Sequence, residues 1–168
     1  MKTPATYIWY DNHGEGLNRY GLFRRNFELD ARPEKAELHL FADERYRLIV
    51  NGRTVCHGPA RYKLGYPEYD TVDIAKYLEA GENVIAVMVC AYGQRTFITD
   101  LTHGGFIAWG EIKETSGKTI DFSTGPEWKA IRSQGHLETE HKMTFAIGLP
   151  ELLDARKLAA DWAEADFD

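Results

Sequence analysis

The 168-residue chain carries 20 basic and 26 acidic side chains, a formal charge of −6. An acidic chain with interspersed charges offers no basic face for phosphates, which argues against nucleic acid as a partner. Its length suits one domain able to bury roughly 70% of its unfolded surface, so a core forms without metal or disulfide staples.

Residues 1–16 (MKTPATYIWYDNHGEG) hold one lysine and no apolar leader stretch, and no later run approaches membrane-spanning length. A cytoplasmic protein without a membrane partner is therefore expected. Ile8-Trp9-Tyr10 reads as a short edge strand ahead of a polar, glycine-rich turn over 11–16. In Tyr20 to Leu29 (YGLFRRNFEL), alternation sets Phe23, Arg25, Phe27 and Leu29 on one face and Arg24, Asn26 and Glu28 on the other. Arg25 then falls on the apolar face, where a guanidinium requires a carboxylate or several carbonyls. A buried pair pinning adjacent strands is the first expectation for it, ahead of ligand binding.

The chain is organised around residues 36–92. Period-2 patterning marks strands over 36–42 and 46–50, and Asn51-Gly52 between apolar runs predicts a tight hairpin, since both central residues of a type I′ turn need φ > 0. Val84 to Ala91 (VIAVMVCA) is apolar at every position and predicts a central strand covered on both faces. Leu48, Val50, Phe27 and Leu40 are its expected neighbours. Cys56 and Cys90 lie in predicted strands without C-x-x-C spacing. Two buried free thiols are expected, and a disulfide between them stays open.

Asp73 is placed to cap a short helical turn over 75–79. Phe106 to Glu114 and Lys118 to Phe122 predict a second hairpin around Ser116-Gly117. Gly125-Pro126 breaks the chain before Trp128 to Ser133, and Met143 to Leu149 (MTFAIGL) predicts a last strand. Short strands at close spacing, with one or two helical turns, predict an all-β antiparallel sandwich or jelly roll. From Pro150 the composition shifts. Leu152, Ala155, Leu158, Ala159 and Trp162 fall near one helical face, so local propensity predicts a helix there.

Two long loops, 57–69 and 92–105, combine glycine or proline with arginine and aromatic residues. Ring faces suit the apolar side of a sugar and planar polar groups its hydroxyls. Arg61, Tyr62, Tyr66, Arg95 and His103 are the candidate carbohydrate-binding residues, with Trp9 and Trp109 as second choices. The competing reading has these tyrosines sealing the sandwich end or facing a neighbouring domain. No catalytic pair is apparent: Asp43 with Glu44, Asp70 with Asp73, and Glu138 with Glu140 read as caps, turn formers or solvated charges. His136 and His141 are five apart, a poor spacing for two ligands on one face, so no metal or other cofactor is expected.

Five pieces in this order carry a resemblance: Phe23 to Phe27, Ala42 to Gly52, Gly58 to Arg61, Tyr69 to Ile74, and Gly81 to Val87. Together they resemble the N-terminal β-sandwich region of bacterial α-L-rhamnosidases and related glycoside hydrolases. Single pieces also look like the sugar-binding jelly rolls of β-galactosidase-type enzymes. The resemblance implies a galactose-binding-domain-like sandwich over 1–149, and a truncated start of a following domain, or a tail, over 150–168. Leu153 to Arg156, with Trp162 and Phe167-Asp168, is similar to the family's passage into its next β-domain, which implies an extended strand at 152–156 rather than a helix. In that family, hydrolysis is inverting and uses two carboxylates on a downstream helical barrel. The implied function is thus a non-catalytic accessory domain partnered by the remaining domains of a parent enzyme and by rhamnose-containing carbohydrate. A purely structural interdomain module and an autonomous lectin-like module remain as alternatives.

Overall fold

The computed structural model describes residues 4–12, 16–97, 99–144 and 146–167. Its strands are β1 (Arg19–Leu29), β2 (Pro33–Asp43), β3 (Arg45–Val50), β4 (Arg53–Gly58), β5 (Asp70–Asp73), β6 (Gly81–Ala91), β7 (Gly105–Glu114), β8 (Thr119–Asp121) and β9 (Lys129–Arg132). They form a five-stranded sheet, β4-β3-β6-β1-β9, facing a four-stranded sheet, β5-β2-β7-β8. Every strand pairing is antiparallel. Among the described residues, helical structure is limited to single 3₁₀ turns at Ala75–Tyr77 and Ala155–Lys157.

The Asn51-Gly52 turn closes β3 on β4 as its residues require, with φ of 46° and 71°. Asn51 also reaches across the sheet. Its Nδ2 donates to Tyr77 O and Asn83 Oδ1, while its Oδ1 accepts from Val84 N at 2.8 Å. Asn83 is fully buried and donates to Glu79 O and Gly81 O, both at 2.8 Å. These bonds tie the hairpin turn to the entrance of β6. At the other side of that entrance, Asp73 accepts from Ala75 N at 3.0 Å, at the start of the first 3₁₀ turn.

Strand β6 is central, between β3 and β1. Ile85, Val87 and Val89 point between the sheets, where they meet Phe23, Leu38, Leu40, Leu48, Val50 and Phe106. Val84 and Ala86 point the other way and pack with Leu22, Ile49, Trp162 and Ala163. The run is apolar at every position because the sandwich core covers one face and residues 160–167 cover the other.

The C-terminal stretch departs from both readings of it. Leu137 N donates to Leu152 O and Asp154 N to Gly135 O, so 152–154 runs extended beside 135–137. The Asp154 carboxylate then accepts from Arg156 N and starts a 3₁₀ turn, which ends the extended piece short of 156. No α-helix forms over 150–162: Pro150 O accepts from Asn18 Nδ2 and Leu152 O from Leu137 N, and the carbonyls just beyond are likewise drawn to long-range donors. Arg24 Nη1 donates to Trp162 O at 3.0 Å and Nη2 to Glu164 O at 3.1 Å, and Gly52 N donates to Ala163 O. Arg24, expected on a polar face, is thereby 7% exposed. Arg25 lies over the Phe122 ring at 4.7 Å, and its burial lowers its pKa against the charges of Glu127 and Asp121.

Residues 143–149 are a second correction. Thr144 Oγ1 accepts from Ala146 N and Ile147 N, and none of the described residues of this stretch is in the strand that was expected. Phe145, and residues 13–15 of the expected N-terminal turn, lie outside the described residues. Ile8 forms a single bridge to Phe106 rather than a full edge strand.

Candidate functional site

The corner between β2 and β3 and the chain leaving β4 enclose a cleft of about 240 Å³ lined by Glu44, Arg45, His57, Arg61, Tyr62 and Thr99. Glu44 sits at the bend where the chain passes from β2 to β3, its N–H donates to Cys90 O at 2.9 Å, and it is 4% exposed. Its carboxylate accepts from Tyr92 N at 3.2 Å and from Thr102 Oγ1 at 3.4 Å. Desolvation dominates over these bonds and pushes its pKa up to about 8. Asp43 accepts from the Tyr7 hydroxyl, and burial raises its pKa too. Tyr62 is held by an edge contact to Phe41 at 5.0 Å. Arg45 and His57 also line a second depression of about 270 Å³ with Tyr20, Arg47, Cys90 and Glu151.

Of the five sequence-derived candidates, the cleft brings together Arg61 and Tyr62. Tyr66 is 72% exposed on a separate small turn, with the Lys63 ammonium 5.7 Å from its ring. Arg95 pairs with Asp100 at 3.2 Å, and its carbonyl accepts from Lys142 Nζ. His103 is exposed and does not line the cleft. The two loops meet at Thr99 rather than through the arginine and histidine expected from the second loop. Trp9 packs on Tyr10 and Phe23 and covers Gly104, as a core side chain does. Trp109 lies on the outside of the four-stranded sheet.

Sequence reading missed Glu44, Arg45 and His57. Glu44 does sit at the bend between β2 and β3, but as a buried group rather than a solvated charge, because Tyr92 N and Thr102 Oγ1 come to its carboxylate from a distant part of the chain. Nothing local could identify Arg45 and His57, because their juxtaposition comes from the β3–β4 register, Arg47 opposite His57. His136 stacks on Tyr20 with centroids 4.0 Å apart and is bonded to Ser133 Oγ and Glu151. Among the described residues no group of three His, Cys, Asp or Glu side chains is placed to hold a metal ion. Cys56 and Cys90 are free thiols, Cys90 buried and Cys56 half-buried.

Two facing antiparallel sheets with a polar cleft at the loop end define an all-β sandwich domain. The chain belongs to the α-L-rhamnosidase N-terminal domain family, which it matches over residues 31–168. Its whole length superposes on a GH78 family rhamnosidase of Bacillus sp. GL1 with TM-score 0.88 and 36% identity, covering 17% of that chain. An α-L-rhamnosidase from Aspergillus terreus shares the fold at 21% identity and TM-score 0.79, over 98% of this chain and 20% of that one. A lectin of Pleurotus ostreatus shares it at 23% identity and TM-score 0.57, over 96% of this chain and 44% of that one. In sequence, the β-galactosidase of Kluyveromyces lactis is 32% identical over 88 residues, 50% of this chain and 8% of that protein. The chain thus spans less than a fifth of the Bacillus rhamnosidase whose fold it reproduces.

Proposed function

We propose that this chain is a non-catalytic accessory module of a longer α-L-rhamnosidase-like glycoside hydrolase. The observation that carries this reading is a whole-chain match at 36% identity to 17% of a rhamnosidase. Inverting hydrolysis needs two carboxylates on opposite sides of a sugar. The carboxyl facing the cleft, Glu44, is committed to Tyr92 and Thr102, so the catalytic pair would be supplied by the rest of the parent protein. On this reading residues 1–149 are the module proper and 150–168 leads to the next domain, with Trp162 and Ala163 strapping the five-stranded sheet on the way.

Within the module, the Glu44–Arg61–Tyr62 cleft is the surface that touches carbohydrate. Tyr62 offers a ring, Arg61 and Arg45 donors, and His57 and Thr99 further polar groups at the cleft wall. A second, structural role has its own support. Phe97, Leu101, Met143 and Ile147 are 73%, 58%, 68% and 54% exposed, the kind of apolar surface that packs against a neighbouring domain. Titrating L-rhamnose into ¹⁵N-labelled protein tests the cleft. Saturable shifts at residues 44–45 and 57–62, lost in an Arg61→Ala/Tyr62→Ala variant, support it. Saturable shifts that avoid those residues refute its location, and no shift at high sugar concentration leaves the structural role alone. Turnover of an aryl α-L-rhamnoside by the purified chain, absent from a mock purification, refutes the non-catalytic reading.

A further inference from the structure

The outer faces of the two sheets differ. Trp162 and Ala163 cover the five-stranded sheet, whereas Lys35, Thr71, Glu111 and Lys113 on the four-stranded sheet stand exposed. The register of β2 with β7 sets this open face out in rows: His39 opposite Trp109, then Glu37 opposite Glu111, then Lys35 opposite Lys113. Tyr69 completes the first row, 4.8 Å from Trp109 and 5.4 Å from His39, with its ring steeply inclined to both. His39 and Trp109 are 5.4 Å apart and inclined by 30°, and His39 Nδ1 is 2.8 Å from Thr71 Oγ1. The next two rows and His39 line a depression of about 230 Å³.

Pairing alone does not account for this pattern. Like charges directly opposite each other in an antiparallel pair destabilise it, and here two such pairs are adjacent. Relief comes along each strand, with Lys35 Nζ 3.5 Å from Glu37 and Lys113 Nζ 3.9 Å from Glu111. The outcome is a neutral patch that sets two acceptors side by side and two donors side by side, next to three rings. An anionic ligand would face the glutamates and a cationic one the lysines. A neutral ring with one C–H face and several hydroxyls complements all of it.

We infer that this sheet face is a second carbohydrate platform. A neutral pyranose lies against the Trp109, His39 and Tyr69 rings, donating hydroxyl protons to Glu37 and Glu111 and accepting from Lys35 and Lys113. The inference rests on the reading of the chain as a module of a carbohydrate-active protein, but its residues are separate from the cleft.

The same ¹⁵N titration with L-rhamnose, followed at the Trp109 indole N–H and the amides of 35–39 and 109–113, is the test. Saturable shifts there are expected. Trp109→Ala should weaken that site about tenfold or more, the effect of removing a ring partner. Glu37→Gln/Glu111→Gln keeps shape and fold while replacing both carboxylates, and should weaken it severalfold even if Trp109→Ala unfolds. Shifts confined to 44–45 and 57–62 overturn the platform and leave the module reading intact. Shifts on the sheet face that persist unchanged in the variants overturn the platform geometry. Absence of saturable shifts anywhere overturns both carbohydrate sites and favours another protein surface as the occupant of this face.

Discussion

Replacing Glu44 with glutamine isolates the effect of its buried carboxyl. In the unfolded chain this group titrates at its ordinary 4.5, and in the folded chain burial moves it to about 8. Between those values the native state keeps a proton that the unfolded state has released, so stability falls as pH rises through that window. Each unit is worth 1.36 kcal/mol, which sets a ceiling of about 5 kcal/mol. Glu44 also borders an open cleft, and solvent there brings the expected loss to about 2–3 kcal/mol. For a chain of this size that corresponds to a Tm decrease of roughly 5–10 °C. Glutamine can still accept from Tyr92 N and can donate to Thr102 Oγ1, so Glu44→Gln should match wild type near pH 5 and exceed it increasingly up to about pH 8.5. Thermal unfolding in matched ionic strength across that range reads the difference directly. Parallel curves, or a variant uniformly less stable at every pH, would refute the reasoning by showing that desolvation of the carboxylate does not control this corner.

Val87 is fully buried between the sheets, so Val87→Asp should prevent folding, read as loss of the β-type circular dichroism spectrum and of soluble yield. Trp162→Ala opens the outer face of β6 and should cost about 3 kcal/mol in urea unfolding, with faster amide exchange at Val84 and Ala86. Unchanged stability would mean that residues 160–167 do not serve as that cover. Asn83→Asp replaces two donations to Glu79 O and Gly81 O with a buried charge facing carbonyls, and should lower the guanidinium midpoint by the equivalent of about 2–4 kcal/mol. A midpoint shift under a tenth of that would refute the role given to this side chain.

The elements legible in the residues alone are those that short-range chemistry encodes. Asn51-Gly52 specifies its turn because few residues accept positive φ, alternation specifies β1 to β3, and the unbroken apolar run of 84–91 requires cover on both faces. The five-piece pattern also led to the family, since order and spacing survive where single pieces are ambiguous. Which surface covers which depends on long-range packing. Arg24 and Arg25 are adjacent and look alike locally. Arg24 is buried because carbonyls 138 and 140 residues away come to it, and Arg25 stays on the Phe122 ring. The stretch 143–149 has strand composition, yet Thr144 Oγ1 takes the N–H groups of Ala146 and Ile147, and 150–162 forms no α-helix because Pro150 O and Leu152 O go to Asn18 and Leu137. The cleft was half legible for the same reason. Arg61 and Tyr62 announce themselves by type within one loop, but Arg45 and His57 join them only through strand register and Glu44 only through its distant partners Tyr92 and Thr102. The rows of the open sheet face likewise arise from pairing β2 with β7, a contact between residues some 70 apart that no local pattern specifies.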